Sequence, residues 1–335
     1  MIDLLRPSRS AKPLEQSEPT RANKPPRGWK PGQVPRPPQP PRRSPVAARP
    51  PAVLTAREEF IRTALAIAAA VIFGILANVT VLGHLQHIVS QQQLTNSLRV
   101  ELAEGTAPVS EGTVDKVLLT DGTPVALIDI PSIDVHEVIV EGTNSGTTRS
   151  GPGHRRDTVL PGQAGISVIM GRAAAYGGPF ARIQELRPGQ KFTVTTGQGK
   201  QTYEVIGLRY AGDPAPAPLA AGASRLILET ARGPAYIPGG VARVDAQLTS
   251  ETKPAGIRQT TGATLPAVDR ELASDTSTVW ALVFALQFFL VIELAAIWAF
   301  HRVGARKTWI VFVPLITLGG LLVADQVVRI LPNLL

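Results

Sequence analysis

No Asp, Glu, Lys or Arg occurs between Arg62 and Arg99, and this charge-free window constrains the fold more than any other feature. Within it, residues 63–85 form an apolar run long enough to cross about 30 Å of hydrocarbon as a helix. About 60 residues precede the run, which is also too long for the core of a cleaved signal peptide, so it reads as a signal anchor. Two further apolar runs, residues 278–300 and 308–331, close the sequence. The short loop between them, His301 to Lys307, carries Arg302, Arg306 and Lys307. The first 62 residues hold 13 basic and 5 acidic side chains, leaving 21 of each in the remainder. Excess Lys and Arg mark the cytoplasmic side of a membrane. With three spans, the basic tail and the basic loop fall on the same side, as that rule requires. The expected topology has the N-terminus cytoplasmic, the stretch between the first two spans outside, and the chain leaving the third span outside.

The net charge of +8 is therefore a property of the N-terminal tail, not of a nucleic-acid-binding domain. Residues 1–56 interleave prolines, Pro25-Pro26, Pro37-Pro38 and Pro40-Pro41 among them, with Arg36, Arg42, Arg43 and Arg49. Such a segment has too little apolar surface to offset the entropy of ordering it, so a disordered cytoplasmic tail is expected. Residues 86–110 continue the first span as a polar helix and linker. The chain has no cysteine. That excludes disulfides, thiolate metal sites and a cysteine nucleophile. His84 and His87 stand at the membrane edge with no third histidine or carboxylate beside them in the sequence, so no metal site or cofactor is expected. Inside the spans, Asp325 and Arg329 are spaced to pair on one helix face. Glu293 is expected to face another helix, in this chain or a transmembrane partner.

Residues 111–252 read as a mainly β domain, followed by a linker at 253–277. Residues 125–130, 136–140, 166–170, 191–196, 201–210, 226–230 and 243–248 have strand composition, and Gly197-Gln198-Gly199-Lys200 has hairpin-turn chemistry. Seven or eight short strands with one brief helix near residues 180–186 argue for a closed or nearly closed barrel.

Several motifs in this domain occur in an order that resembles the sortases. Gly151-Pro152-Gly153-His154 and Thr158-Val159-Leu160-Pro161-Gly162 are similar to the family's early glycine–proline loop. Gly171-Arg172, leading to Tyr176-Gly177-Gly178-Pro179-Phe180, is similar to its active-site loop. Leu186-Arg187-Pro188-Gly189-Gln190 matches the turn before the central hairpin, and Leu226 to Ala231 matches the strand that normally ends in Thr-Cys. The resemblance covers roughly residues 120–250 and is nearest to membrane-anchored actinobacterial sortases, although two C-terminal spans depart from the usual pattern. It implies a sortase-like β-barrel outside the membrane, carried by three transmembrane helices.

The resemblance also implies a defect. Sortases are transpeptidases that use a cysteine, a histidine and an arginine. Here the cysteine position is Ala231 and the histidine position is Arg172. A methyl group cannot attack a carbonyl, and a guanidinium does not shuttle protons near neutral pH. Arg243 is the candidate for a retained oxyanion arginine, with Val241 the alternative register. His154 corresponds to a structural histidine of the loop. Strand alternation puts Glu229 on the face of Ala231, so a Glu229–Arg172 ion pair is expected to fill the cleft. The alternative is a cationic pocket in which Arg172 and Arg243 bind a carboxylate or phosphate. The expected function is a catalytically inactive binding or scaffolding module for a protein or cell-wall partner. An active transpeptidase with a substitute nucleophile and a structural subunit of a membrane complex are the alternatives.

Overall fold

The computed structural model describes residues 55–335 except Val114; the proline-rich segment up to residue 54 lies outside the described residues. The first apolar run is the start of one long helical rod. Helix α1 (Ala56–Ala77) passes through a π-helical turn (Asn78–Leu82) into α2 (Gly83–Glu104). The rod stops at Gly105, whose left-handed φ of 72° suits glycine and whose N–H caps Glu101 O. Helices α3 (Val279–Val303) and α4 (Ala305–Ile330) form a hairpin hinged at Gly304. All three helical stretches are long and apolar enough to cross a membrane. The apolar surfaces of α3 and α4 remain largely exposed, with Trp280, Phe284, Trp298 and Trp309 among them. Gly319 lets the hairpin close, since a Cβ there would lie 3.0 Å from Phe289 and 3.2 Å from Ile292. Asn78, in the π turn, donates its amide to Leu321 O of α4 at 3.3 Å. Asp325 and Arg329 pair at 2.9 Å.

Eight strands form a closed barrel: β1 (Pro124–Ile130), β2 (Val135–Glu141), β3 (Gly153–His154), β4 (Gly165–Met170), β5 (Lys191–Thr196), β6 (Gly199–Arg209), β7 (Ser224–Arg232) and β8 (Gly240–Leu248). Their order around the barrel is β1-β2-β3-β4-β7-β8-β6-β5. Most pairs are antiparallel, but β2–β3 and β4–β7 run parallel. Period-two alternation fills the interior with residues such as Ile128, Ile139, Ile169, Phe192, Val194, Leu226, Leu228 and Val244. β3 is a two-residue strand too short to carry a sequence pattern. The brief helix expected near residues 180–186 is a single 3₁₀ turn, Ile183–Glu185.

Helix α2 is docked on the barrel. The Gln91 side chain receives Val138 N–H at 2.7 Å and donates to Val138 O at 3.2 Å and Ser150 O at 2.7 Å. His87 meets Glu137 at 3.0 Å, so a carboxylate does accompany this histidine. It comes from β2, far away in sequence.

Candidate functional site

The parallel pair β4–β7 and its neighbour β8 build the floor of a cleft on the barrel's outer face. Interior residues Leu226 and Leu228 alternate on β7 with Ile227, Glu229 and Ala231, which face outward. On β8, Val241 stands opposite Ala231 and Arg243 opposite Glu229. At the end of β4, Gly171 N–H bonds Glu229 O. A Cβ on Gly171 would lie 2.4 Å from the Phe180 ring, so only glycine lets the chain pass there and deliver Arg172 to the cleft. Tyr176, at a φ of 51°, turns its ring under the guanidinium, 5.2 Å from Arg172 Cζ.

The cleft is filled by the segment that follows α4. Leu331 leaves the helix with an extended ψ of 143°, as the residue before a proline does. Pro332 to Leu335 then cross the floor. Leu334 and Leu335, 0% and 4% exposed, pack with Val168, Met170, Ala231 and Val241. Ala173 N–H donates to Leu334 O at 2.9 Å, and Ser145 Oγ to Leu331 O at 2.7 Å. Asn333 is fully buried; its amide reaches Thr143 O at 2.6 Å and Arg270 O at 2.8 Å, and its N–H reaches Ala273 O at 3.0 Å.

Arg172 is the centre of this contact. It is 0% exposed. Nη1 donates to Leu335 O at 3.0 Å and Pro332 O at 3.3 Å, and Nη2 to Ser145 O at 2.8 Å and Ser145 Oγ at 2.9 Å. No Asp or Glu side chain pairs with it among the described residues, and burial lowers the guanidinium to about 10. The expected Arg172–Glu229 pair is therefore not formed. Arg172 turns toward carbonyl groups of the 331–335 segment and of Ser145, while Glu229 is taken by its cross-strand neighbour.

That neighbour is Arg243, which donates Nε to Glu229 Oε1 at 2.8 Å and Nη2 to Glu271 Oε2. Arg155 approaches Glu271 at 3.6 Å. Burial pushes the Glu229 carboxyl up to about 7, the nearby Glu271 charge adds to this, and Arg243 offsets only part of it. Burial works against the charge on Arg243, but its bonds to Glu271 and Glu229 keep it above its ordinary range. Arg243 is thus committed to two carboxylates and lies one alternation away from Ala231, whose cross-strand partner is Val241. Among the described residues, then, Arg172 and Arg243 turn to separate partners and do not share a ligand.

Other sequence candidates fall elsewhere. His154 is buried with Nδ1 2.9 Å from Glu141 Oε2 and Nε2 2.9 Å from Val159 O, which fixes the loop and leaves no ring nitrogen for chemistry in the cleft. Thr230 donates Oγ1 to Gly171 O at 2.9 Å and is turned away from Ala231. Glu293 is half-buried on α3 with no polar partner among the described residues. The residues missed from sequence are Leu331 to Leu335, Ser145 and Tyr176. The available signal was Pro332, which stops the helix and leaves two leucines beyond the span that have to be buried somewhere.

Residues 128–221 match a family model described as the Sortase domain. The match includes Arg172 and ends before β7. Sortase D of Bacillus subtilis (strain 168) is 31% identical over 85 residues, a stretch that is 25% of this chain and 41% of that relative. Among solved structures, a Clostridium perfringens sortase D5 transpeptidase is 21% identical, with 49% of this chain and 99% of that chain covered and a TM-score of 0.37. Sortase E1 from Streptomyces coelicolor is 23% identical (40% and 92% covered, TM-score 0.35). Sortase E from Streptomyces avermitilis is 26% identical (45% and 100% covered, TM-score 0.34).

Proposed function

We propose that the chain, whose residues 128–221 match the Sortase domain model, is a catalytically inactive member of that family serving as a membrane-anchored binding or scaffolding module for a cell-envelope protein or wall component. One observation carries the reading. At the two positions that the sortase resemblance gives to the nucleophile and the base stand the methyl of Ala231 and the buried guanidinium of Arg172, and both are in contact with the chain's own segment 331–335. No nucleophile–base pair can form from these groups. The test uses the full chain in detergent or nanodiscs with sorting-signal peptides and an amine acceptor. No acyl-transfer product is expected, whereas an envelope partner should co-purify with the chain from native membranes. Transpeptidation by the unaltered chain would overturn the reading.

A second reading, a structural subunit of a membrane complex, is supported by two observations. The cleft is filled, and Glu293 is an ionisable group within a span that has no polar partner among the described residues. In both readings the domain is placed outside the cell membrane, on the argument of the basic tail and basic loop.

A further inference from the structure

We propose that residues 331–335 are a resident ligand of the cleft, a gate that has to withdraw before any external chain can occupy the same floor. The proposal rests on the inactive-member reading and adds to it the regulation of the site. Three features distinguish this contact from ordinary core packing.

First, the segment is read mostly through its backbone. Leu331, Pro332, Leu334 and Leu335 each present a carbonyl oxygen to Ser145, Arg172 or Ala173, and Asn333 contributes its N–H. The segment sits as a turn, closed by Leu335 N–H to Pro332 O at 3.2 Å, with two buried leucines; recognition through main-chain groups and apolar anchors transfers to another peptide that can adopt the same turn. Second, the seat is polar and incompletely satisfied. Arg172 is a fully buried cation held by backbone oxygens, Ser145 Oγ and the face of Tyr176, with no Asp or Glu side chain paired to it among the described residues. Arg172 Nε, Tyr176 Oη and Asn333 Oδ1 are buried there without a protein partner. Withdrawal rehydrates all of these, offsetting part of the loss when Leu334 and Leu335 are exposed. Third, the segment has no linker. It begins where α4 ends, so a shift of α4 along or across the membrane moves it directly.

The absence of native cysteine gives a clean test. Val241, 8% exposed, lies beneath the segment. In the full chain in nanodiscs, Val241→Cys should react slowly with a maleimide. Combining it with Leu334→Asp, or separately with Arg172→Met, should raise the rate by about tenfold or more, as expected when a local opening loses a buried contact or charge-assisted hydrogen bonds. Adding a synthetic Leu-Pro-Asn-Leu-Leu peptide to the Leu334→Asp protein should restore protection. Two reference thiols guard against misfolding. Ile257→Cys, at a site 74% exposed, should react quickly in every background. Leu226→Cys, in the barrel interior, should stay protected in every background. A Val241→Cys rate that is fast in the parent, or slow in both gate variants, would overturn the proposal. Transpeptidation by the unaltered chain would instead sink the inactive-member reading and leave the labelling pattern as it is, so the two failures are separable.

Discussion

Arg172 and Glu229 show how a correct reading of faces can still assign the wrong partner. Alternation along β7 puts Glu229 on the Ala231 side, and the structure has it there. What alternation cannot give is the competition for Glu229. Arg243 is its direct cross-strand neighbour, and that register depends on β8 beginning at Gly240, which a loosely patterned loop concealed. Arg172 found other acceptors because residues 331–335, about 160 positions away, reach it first. Glu229 now yields a pH prediction. Its carboxyl titrates near 7 in the fold against an ordinary 4.5. Between those values the folded state keeps a proton that the unfolded chain has lost. Stability therefore falls as pH rises from about 4.5 to about 7 and levels off above that. Removing the ionisable group should remove the pH-dependent part of this loss, so the stability of Glu229→Gln relative to the parent should rise as pH increases from about 4.5 to about 7. Unfolding midpoints across that range check this; a gap that is constant with pH would contradict it.

At the level of elements, the helices and most strands were legible because each carries its own period or an uninterrupted apolar run. β3 was not, since two residues between glycine and histidine have no period to read. The docking of α2 was also hidden: Gln91 lies in a polar stretch that looked solvated, yet it makes three hydrogen bonds to the barrel backbone. Gln91→Ala should cost about 2 kcal/mol by leaving Val138 and Ser150 groups unpaired. Amide exchange at Val138 should accelerate, whereas the interior strand β5 should be unaffected at short times. Slow exchange at Val138 in the variant would show that the docking rests on other contacts. The spans carry a separate test. If Glu293 meets a partner helix, Glu293→Leu should convert an assembly in mild detergent to a smaller particle, read by light scattering. An unchanged mass would remove Glu293 from any interface.

Over the whole described molecule, the sequence conveyed a barrel with three long apolar helices but not how the two are joined. The missing information is long-range: the segment after the last span looks like the end of a helix, and only the folded chain shows it in a cleft built from β4, β7 and β8. Sidedness is testable through single cysteines on intact cells. A membrane-impermeant maleimide should label Ile257→Cys and spare Val303→Cys, at the turn between α3 and α4; the reverse pattern would invert the topology. The two-ended attachment has one more consequence. The barrel is clamped to α2 through Gln91 and His87 at one place and to the end of α4 through Leu331–Leu335 at another. A body fixed at two points cannot tumble on its stalk as a domain on a single flexible tether does. In a bilayer crossed by these helices its cleft would keep one height and one bearing, so that a search for a membrane-bound partner would run in two dimensions at a set elevation, and a partner whose matching segment rode higher or lower would be rejected by distance before any side chain was compared.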